Sequence, residues 1–287
     1  MKGTSNNRDI SWEKLKFIPT ESKHPDLRMF PDFFCIGPQR TGSTWLHTNL
    51  VKHPEILMHR DKETFFFSTL GRPDRPRFRY KNLEAYLESF SDTFKEKILK
   101  NYHAIRRCGR FYHPTLIGES TASYCVIDEE IIAEILQINP DLKAIILLRH
   151  PLERAWSHAK KDLVRDASGK AQAKDFLAFC SSEDQLRRAD YKAIIERWTK
   201  YLKPGHLLVT PAERIESDPE KLLSDVLGFI GADVTSAPSE RHVITRQNAT
   251  SGMQIPEEIQ STLQELLQPY IKSYEDLRRD VGNFKIF

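Results

Sequence analysis

Phe33-Phe34-Cys35-Ile36-Gly37-Pro38-Gln39-Arg40-Thr41-Gly42-Ser43-Thr44-Trp45-Leu46 decides the fold of this 287-residue chain. The short continuous apolar run Phe33 to Ile36 reads as a strand buried on both faces, because a half-exposed strand would alternate apolar and polar residues. Gly37-Pro38 breaks it. Trp45, Leu46, Leu50 and Val51 then recur at helical spacing, so the stretch predicts a strand, a tight turn and a helix. The glycines of the turn fit G-x-x-x-x-G-K-[ST], a loop whose backbone N–H groups wrap an anion at a helix N-terminus. The lysine position of that pattern is Ser43, and its loss argues against a nucleoside triphosphatase. The cation is instead Arg40, with hydroxyls at Thr41, Ser43 and Thr44.

The same unit recurs along the chain. Leu116-Ile117-Gly118, Ala144 to Leu148 and His206 to Val209 read as strands. Ile131, Ile132, Ile135 and Leu136 mark a helix that stops before Pro140. A further helix is expected to start near Pro151, whose missing N–H costs nothing in a first turn. Leu222, Leu223, Val226, Leu227 and Ile230 mark another, ending at Gly231. Strands alternating with helices give the fold class: α/β, a single domain with a mainly parallel central sheet, helices on both faces and a phosphate-loop-like nucleotide site. Residues 1–31, polar and punctuated by Pro19, Pro25 and Pro31, form an N-terminal arm, and 32–287 form the domain. Tyr80 to Arg110 and Arg165 to Tyr201 carry no strand signal and are expected to be helical insertions over one edge of the sheet.

Composition narrows the function. Lys+Arg 43 against Asp+Glu 40 leaves a formal charge of +3, too balanced for a protein whose affinity rests on neutralising a nucleic-acid backbone. The four cysteines, Cys35, Cys108, Cys125 and Cys180, are scattered without metal-ligand spacing, so neither a zinc site nor a disulfide framework is signalled and no metal is expected. The polar N-terminus and the absence of a long apolar run predict no transmembrane segment and a cytoplasmic location.

The run Pro38 to Leu46 resembles the 5′-phosphosulfate loop of sulfotransferases that use 3′-phosphoadenosine 5′-phosphosulfate (PAPS), with Arg40 where that family usually has lysine. Arg149-His-Pro-Leu-Glu-Arg-Ala-Trp-Ser157 is similar to the family's 3′-phosphate motif, an arginine at the end of a strand and a serine on the following helix. The geometry makes sense without the family, since the two groups converge at the ligand-binding edge of such a sheet. Lys62-Glu-Thr-Phe-Phe-Phe67 looks like the Lys-Glu-x-x-Phe-Phe segment of heparan-type and related bacterial sulfotransferases, and implies Glu63 as general base. Gly118-Glu-Ser-Thr-Ala-Ser-Tyr124 resembles their Glu-Lys-Thr-Pro-Ala-Tyr motif, but the family's lysine is Ser120 and its proline Ala122. Similarity runs in order from about Phe33 to Arg279.

The resemblance implies a PAPS-dependent sulfotransferase, acting without a metal on a hydroxyl or amine of a small-molecule, lipid or carbohydrate acceptor. Glu63 and Arg40 are its catalytic candidates. The donor would be held by Arg40, Thr41, Gly42, Ser43, Thr44, Trp45, Arg149, Ser157 and, from a polar loop before the final helices, Arg246. Alternatives stay open at this level. Glu63 beside Lys62 is also readable as a solvated ion pair, with His113 the rival base; Trp45 and His47 as packing for the first helix; Arg246 as a surface residue. Phe65, Phe66, Phe67, Phe78 and Tyr80 either line an apolar acceptor cleft or form core. The competing functions are an ATP-using kinase-like enzyme, which needs the missing loop lysine, and a catalytically inactive nucleotide-binding module.

Overall fold

A computed structural model describes residues 10, 12–22, 24–164, 171–236 and 254–287. The decisive stretch forms β1 (Phe33–Gly37), all five residues buried, and α1 (Ser43–Leu50). Then follow β2 (Ile56–Met58), α2 (Leu83–Glu88), α3 (Phe94–Cys108), β3 (Leu116–Ser120), α4 (Glu129–Ile138) and β4 (Lys143–Leu148). The second half contains α5 (Pro151–Ala159), α6 (Ala173–Ser181), α7 (Glu183–Ala189), α8 (Tyr191–Thr199), β5 (Leu207–Pro211), α9 (Arg214–Ser217), α10 (Pro219–Ile230), α11 (Glu257–Val281) and β6 (Lys285–Ile286). The strands make one sheet in the order β2-β3-β1-β4-β5-β6. All neighbours are parallel except β5 and β6.

That order places the site. From β1 the chain crosses to the edge strand β2 and returns to β3 on one side, then passes to β4 and β5 on the other. The loops leaving β1 and β4 therefore diverge, opening a crevice at the carboxyl ends of these two strands, where open α/β sheets take their ligands. Burial follows the layers. Phe34, Ile36, Ala144, Ile146 and Val209 pack with α4 and α8 on one face, while Phe33, Cys35, Ile145, Leu147 and Leu208 pack with α1 and α10 on the other. A third cluster joins α5, α6 and α11 through Trp156, Phe176, Leu263 and Leu267.

Local chemistry sets the ends of these elements. Pro151 opens α5 at its first turn, and Gly231 closes α10 at φ 86°, a left-handed angle that costs glycine little. The N-terminal arm is tied down at one buried carboxylate: Glu134 of α4 accepts from the backbone N–H groups of Lys16 at 2.5 Å, Phe17 at 3.1 Å and Ile18 at 2.9 Å. The insertion from Tyr80 to Arg110 resolves into α2 and α3, and the described part of the second one into α6, α7 and α8.

Candidate active site

Gly37 and Gly42 shape the loop between β1 and α1, both at φ 98°. A Cβ on Gly37 would stand 2.3 Å from the Ala122 carbonyl oxygen, and one on Gly42 would stand 2.1 Å from Ile215 Cδ1. Only glycine lets the backbone pass so close. Gly42 caps α1 without a side-chain hydrogen bond, and the first turn of the helix, with the positive end of its dipole, lines the crevice. Arg40 adds the cation from a backbone at φ 70°.

The two arginine motifs meet. Arg40 Nε donates to Ser157 Oγ at 2.9 Å, and Arg149 Nη1 donates to the Arg40 carbonyl at 3.2 Å. Arg149 also pairs with Glu153 at 3.2 Å, while its own carbonyl accepts the Tyr191 hydroxyl at 2.6 Å. A cleft of about 800 Å³, solvent-open space included, is lined by Arg40 to Trp45, Arg149, Glu153, Ala212, Glu213, Ile215 and Glu216. Of the sequence candidates, Arg40, Gly42, Ser43, Thr44 and Arg149 all border this space. Thr41 borders it too, but its hydroxyl donates to the Pro38 carbonyl at 2.8 Å and so braces the loop. Trp45 is 2% exposed and packs with the core beneath α1, so it serves as a wall. Ser157 reaches the cleft through Arg40. Arg246 lies outside the described residues.

Glu63 stands apart from that cleft, in the loop after β2, and the segment resembling Glu-Lys-Thr-Pro-Ala-Tyr holds it there. Buried Glu119 accepts from the hydroxyls of Thr64, Thr121 and Tyr86. Thr64 N–H donates to Thr121 Oγ1 at 3.0 Å, and Phe67 N–H to the Tyr124 hydroxyl at 3.3 Å. Burial and the Glu119 charge push Tyr86 and Tyr124 far above the usual phenol range, so both remain hydrogen-bond donors. Glu63 Oε1 takes the Lys62 ammonium at 3.3 Å, while its Oε2 is buried with no protein partner. That orphaned oxygen is the acceptor position expected of a proton-abstracting carboxylate.

His113 sits at the opposite end of the sheet. Its N–H bonds the Pro54 carbonyl, just before β2 begins, and it precedes β3, so it stands at the amino ends of these strands, away from Glu63 and Arg40. The rival base is thus removed by topology. Phe66 and Phe67 are 1% and 0% exposed in a cluster with Tyr86 and Tyr124. They are core; Phe65 remains at the surface, with the Arg77 guanidinium 4.7 Å from its ring centroid.

Of two further cations near these groups, Lys62 was read from the sequence only as the partner of Glu63 and Lys160 was not singled out. Lys62 pairs with Glu63 at 3.3 Å in the loop after β2, and, with burial, its charge helps hold the His47 imidazole below its usual range. Lys160, one turn beyond Ser157, is held below the usual ammonium range by burial and by Arg149 and Arg40. Its signal was the spacing Ser157-x-x-Lys160 on one helix face. His47, pushed down to about 4 by burial and by Lys62 and His59, stays neutral at pH 7.

Fold and site together define an α/β protein with an arginine-lined cleft at a β1–β4 switch point and a separate, half-buried carboxylate in the loop after β2. Residues 31–236 match the model of the sulfotransferase family, and the chain belongs to that family. It is 22% identical over 223 residues to the human bifunctional heparan sulfate N-deacetylase/N-sulfotransferase 3, covering 73% of this chain and 23% of that protein. It is 29% identical over 191 residues to mouse carbohydrate sulfotransferase 15, covering 59% and 33%. The chain therefore spans a third or less of the length of these relatives. A sulfotransferase from Alicyclobacillus acidocaldarius superposes with a TM-score of 0.61 at 20% identity, over 87% of this chain and 96% of that one, a likeness of fold.

Proposed function

We propose that the chain is a PAPS-dependent sulfotransferase transferring a sulfonyl group to a hydroxyl or amine of a small-molecule, lipid or carbohydrate acceptor, a carbohydrate being the class named in its relatives. One observation carries the reading: the Arg40–Ser157 hydrogen bond of 2.9 Å, which joins the two motifs into one anion-binding surface. In this reading Arg149 and Ser157 hold the 3′-phosphate, and Arg40 with the uncapped first turn of α1 holds the 5′-phosphosulfate. The acceptor oxygen or nitrogen attacks sulfur in line, its proton passes to Glu63, and the bond from sulfur to the bridging oxygen breaks. Arg40 and the loop N–H groups stabilise the charge that gathers on the departing bisphosphate. Lys62 provides the cation that the resemblance puts at Ser120. Among the described residues no group of acidic, histidine and cysteine side chains has the geometry to hold a metal, and the reading assigns none a role.

Calorimetry tests it. Adenosine 3′,5′-bisphosphate is expected to bind without a metal, and Arg149→Ala to weaken it ten- to a hundredfold, the loss of roughly 1.5–3 kcal/mol for one charge-assisted partner. Undiminished affinity in Arg149→Ala refutes the 3′-phosphate site. Tighter binding of ATP with Mg²⁺ than of the bisphosphate restores the kinase-like alternative.

A further inference from the structure

Helix α3 presents its apolar side to solvent. Of the eleven large hydrophobic residues exposed among the described residues, six lie between 94 and 111: Phe94, Ile98, Leu99, Tyr102, Ile105 and Phe111, with Phe94 at 78% and Phe111 at 75%. Only Ala104 of the helix is buried. Polar contacts brace the helix against its own flanking residues and, through Arg60, against the rest of the domain. Lys100 pairs with Asp92 at 2.6 Å, Asn101 accepts the Tyr112 N–H at 2.8 Å, and Arg60 reaches Glu96 at 3.3 Å. A helix normally buries its apolar stripe and wets its charges, so a stripe turned outward marks a surface that something apolar covers.

Charge says what covers it. Residues 94–111 contain six lysines and arginines against the single acid Glu96, in a chain whose total is only +3. Lys95, Lys97 and Arg106 are exposed; at 3.6 residues per turn Lys95 and Arg106 stand among the apolar side chains near the two ends of the stripe, and Lys97 lies to one side of it. Apolar side chains bordered by cations are the pattern of a helix lying in the headgroup region of an anionic bilayer. Both ends of the stripe are basic, so face-to-face pairing of two copies opposes like charges and is disfavoured. We propose that α3 is an interfacial helix that docks the protein on an anionic lipid surface through Phe94, Ile98, Leu99, Tyr102 and Ile105.

The docking has a direction. Arg60 ties the first turn of α3 to the loop that carries Lys62 and Glu63, and the helix runs about 22 Å from there at 1.5 Å per residue. Its opposite end is fixed by Arg110 on Asp233 at 2.6 Å. The apolar stripe thus begins near the loop that carries Lys62 and Glu63.

Co-sedimentation of the whole chain with vesicles tests this, and it reads no sulfonyl transfer, so it stands or falls apart from the proposed function. Phosphatidylcholine vesicles containing phosphatidylserine are expected to bind the protein and pure phosphatidylcholine vesicles to bind it weakly. Ile98→Glu and, separately, Leu99→Glu are expected to weaken binding about tenfold, and the double variant Lys95→Glu/Arg106→Glu to abolish its dependence on phosphatidylserine. These side chains are exposed, so the melting temperature is expected to hold. Equal binding to both vesicles, no binding to either, or variants that bind like the parent overturns the proposal. Self-association by light scattering that Ile98→Glu removes, without lipid binding, assigns the stripe to a second copy instead.

Discussion

Arg40 holds two conflicting demands. Its backbone sits at φ 70°, where a side chain costs about 1–2 kcal/mol, and from there its guanidinium reaches Ser157. Arg40→Gly is therefore expected to raise the melting temperature while weakening bisphosphate binding. Arg40→Lys is expected to keep substantial activity, because charge at the loop matters more than the planar fork. Thermal denaturation and turnover on the two variants check this; a glycine variant both less stable and fully active contradicts it. At Glu63 the separation is between binding and chemistry. Glu63→Gln is expected to leave bisphosphate affinity nearly intact and lower kcat by about 10²–10⁴. Loss confined to KM would make Glu63 an acceptor-binding residue.

Elements differ in how plainly their residues announce them. The arm shows the strongest long-range case: three consecutive N–H groups converge on Glu134, and Glu134→Ala is expected to lower stability by about 2–3 kcal/mol and expose the arm to proteolysis at a rate that limited trypsin digestion measures. Nothing near Glu134 in the chain foretells that role, because its partners lie 116 to 118 residues away. By contrast β1, its turn and α1 were legible, since a buried strand, a glycine loop and a helix each have a local signature. So were the start of α5 at Pro151 and the end of α10 at Gly231. β2 was not: its three residues follow His53-Pro54 and pair only because β3 lies alongside. β6 has two residues and owes its existence to β5. Within the site the phosphate-loop and strand-end arginines were readable as motifs. The brace at Thr41 and the removal of His113 to the other end of the sheet depend on packing that no spacing encodes.

The whole molecule carries an acid sensitivity built from buried imidazoles. Burial and neighbouring cations push His47 down to about 4 and His158 down to about 3, the latter beside Arg154 and Arg188. An unfolded histidine binds its proton at about 6.5, so between that pH and each folded value the unfolded chain holds more protons than the folded one. Stability is thus full above about pH 6.5 and falls as pH drops toward 4 and 3, by roughly 3 kcal/mol from His47 alone. Urea denaturation across this range checks the sign. His158→Gln is expected to flatten the slope below pH 6; an unchanged slope would show that other groups set it.

The short pairing of β5 with the last residues has a further consequence. Phe287 N–H donates to the Leu207 carbonyl at 2.8 Å, and its own carbonyl accepts from Gly205 N–H at 2.8 Å, so these few residues act as a stopper on an otherwise open row of peptide groups. Clipping residues 285–287 would turn that rim of the molecule into a template onto which strands of other molecules can be laid, one after another. The cover on that rim is only three residues long, with Phe287 packed partly against the core beneath it.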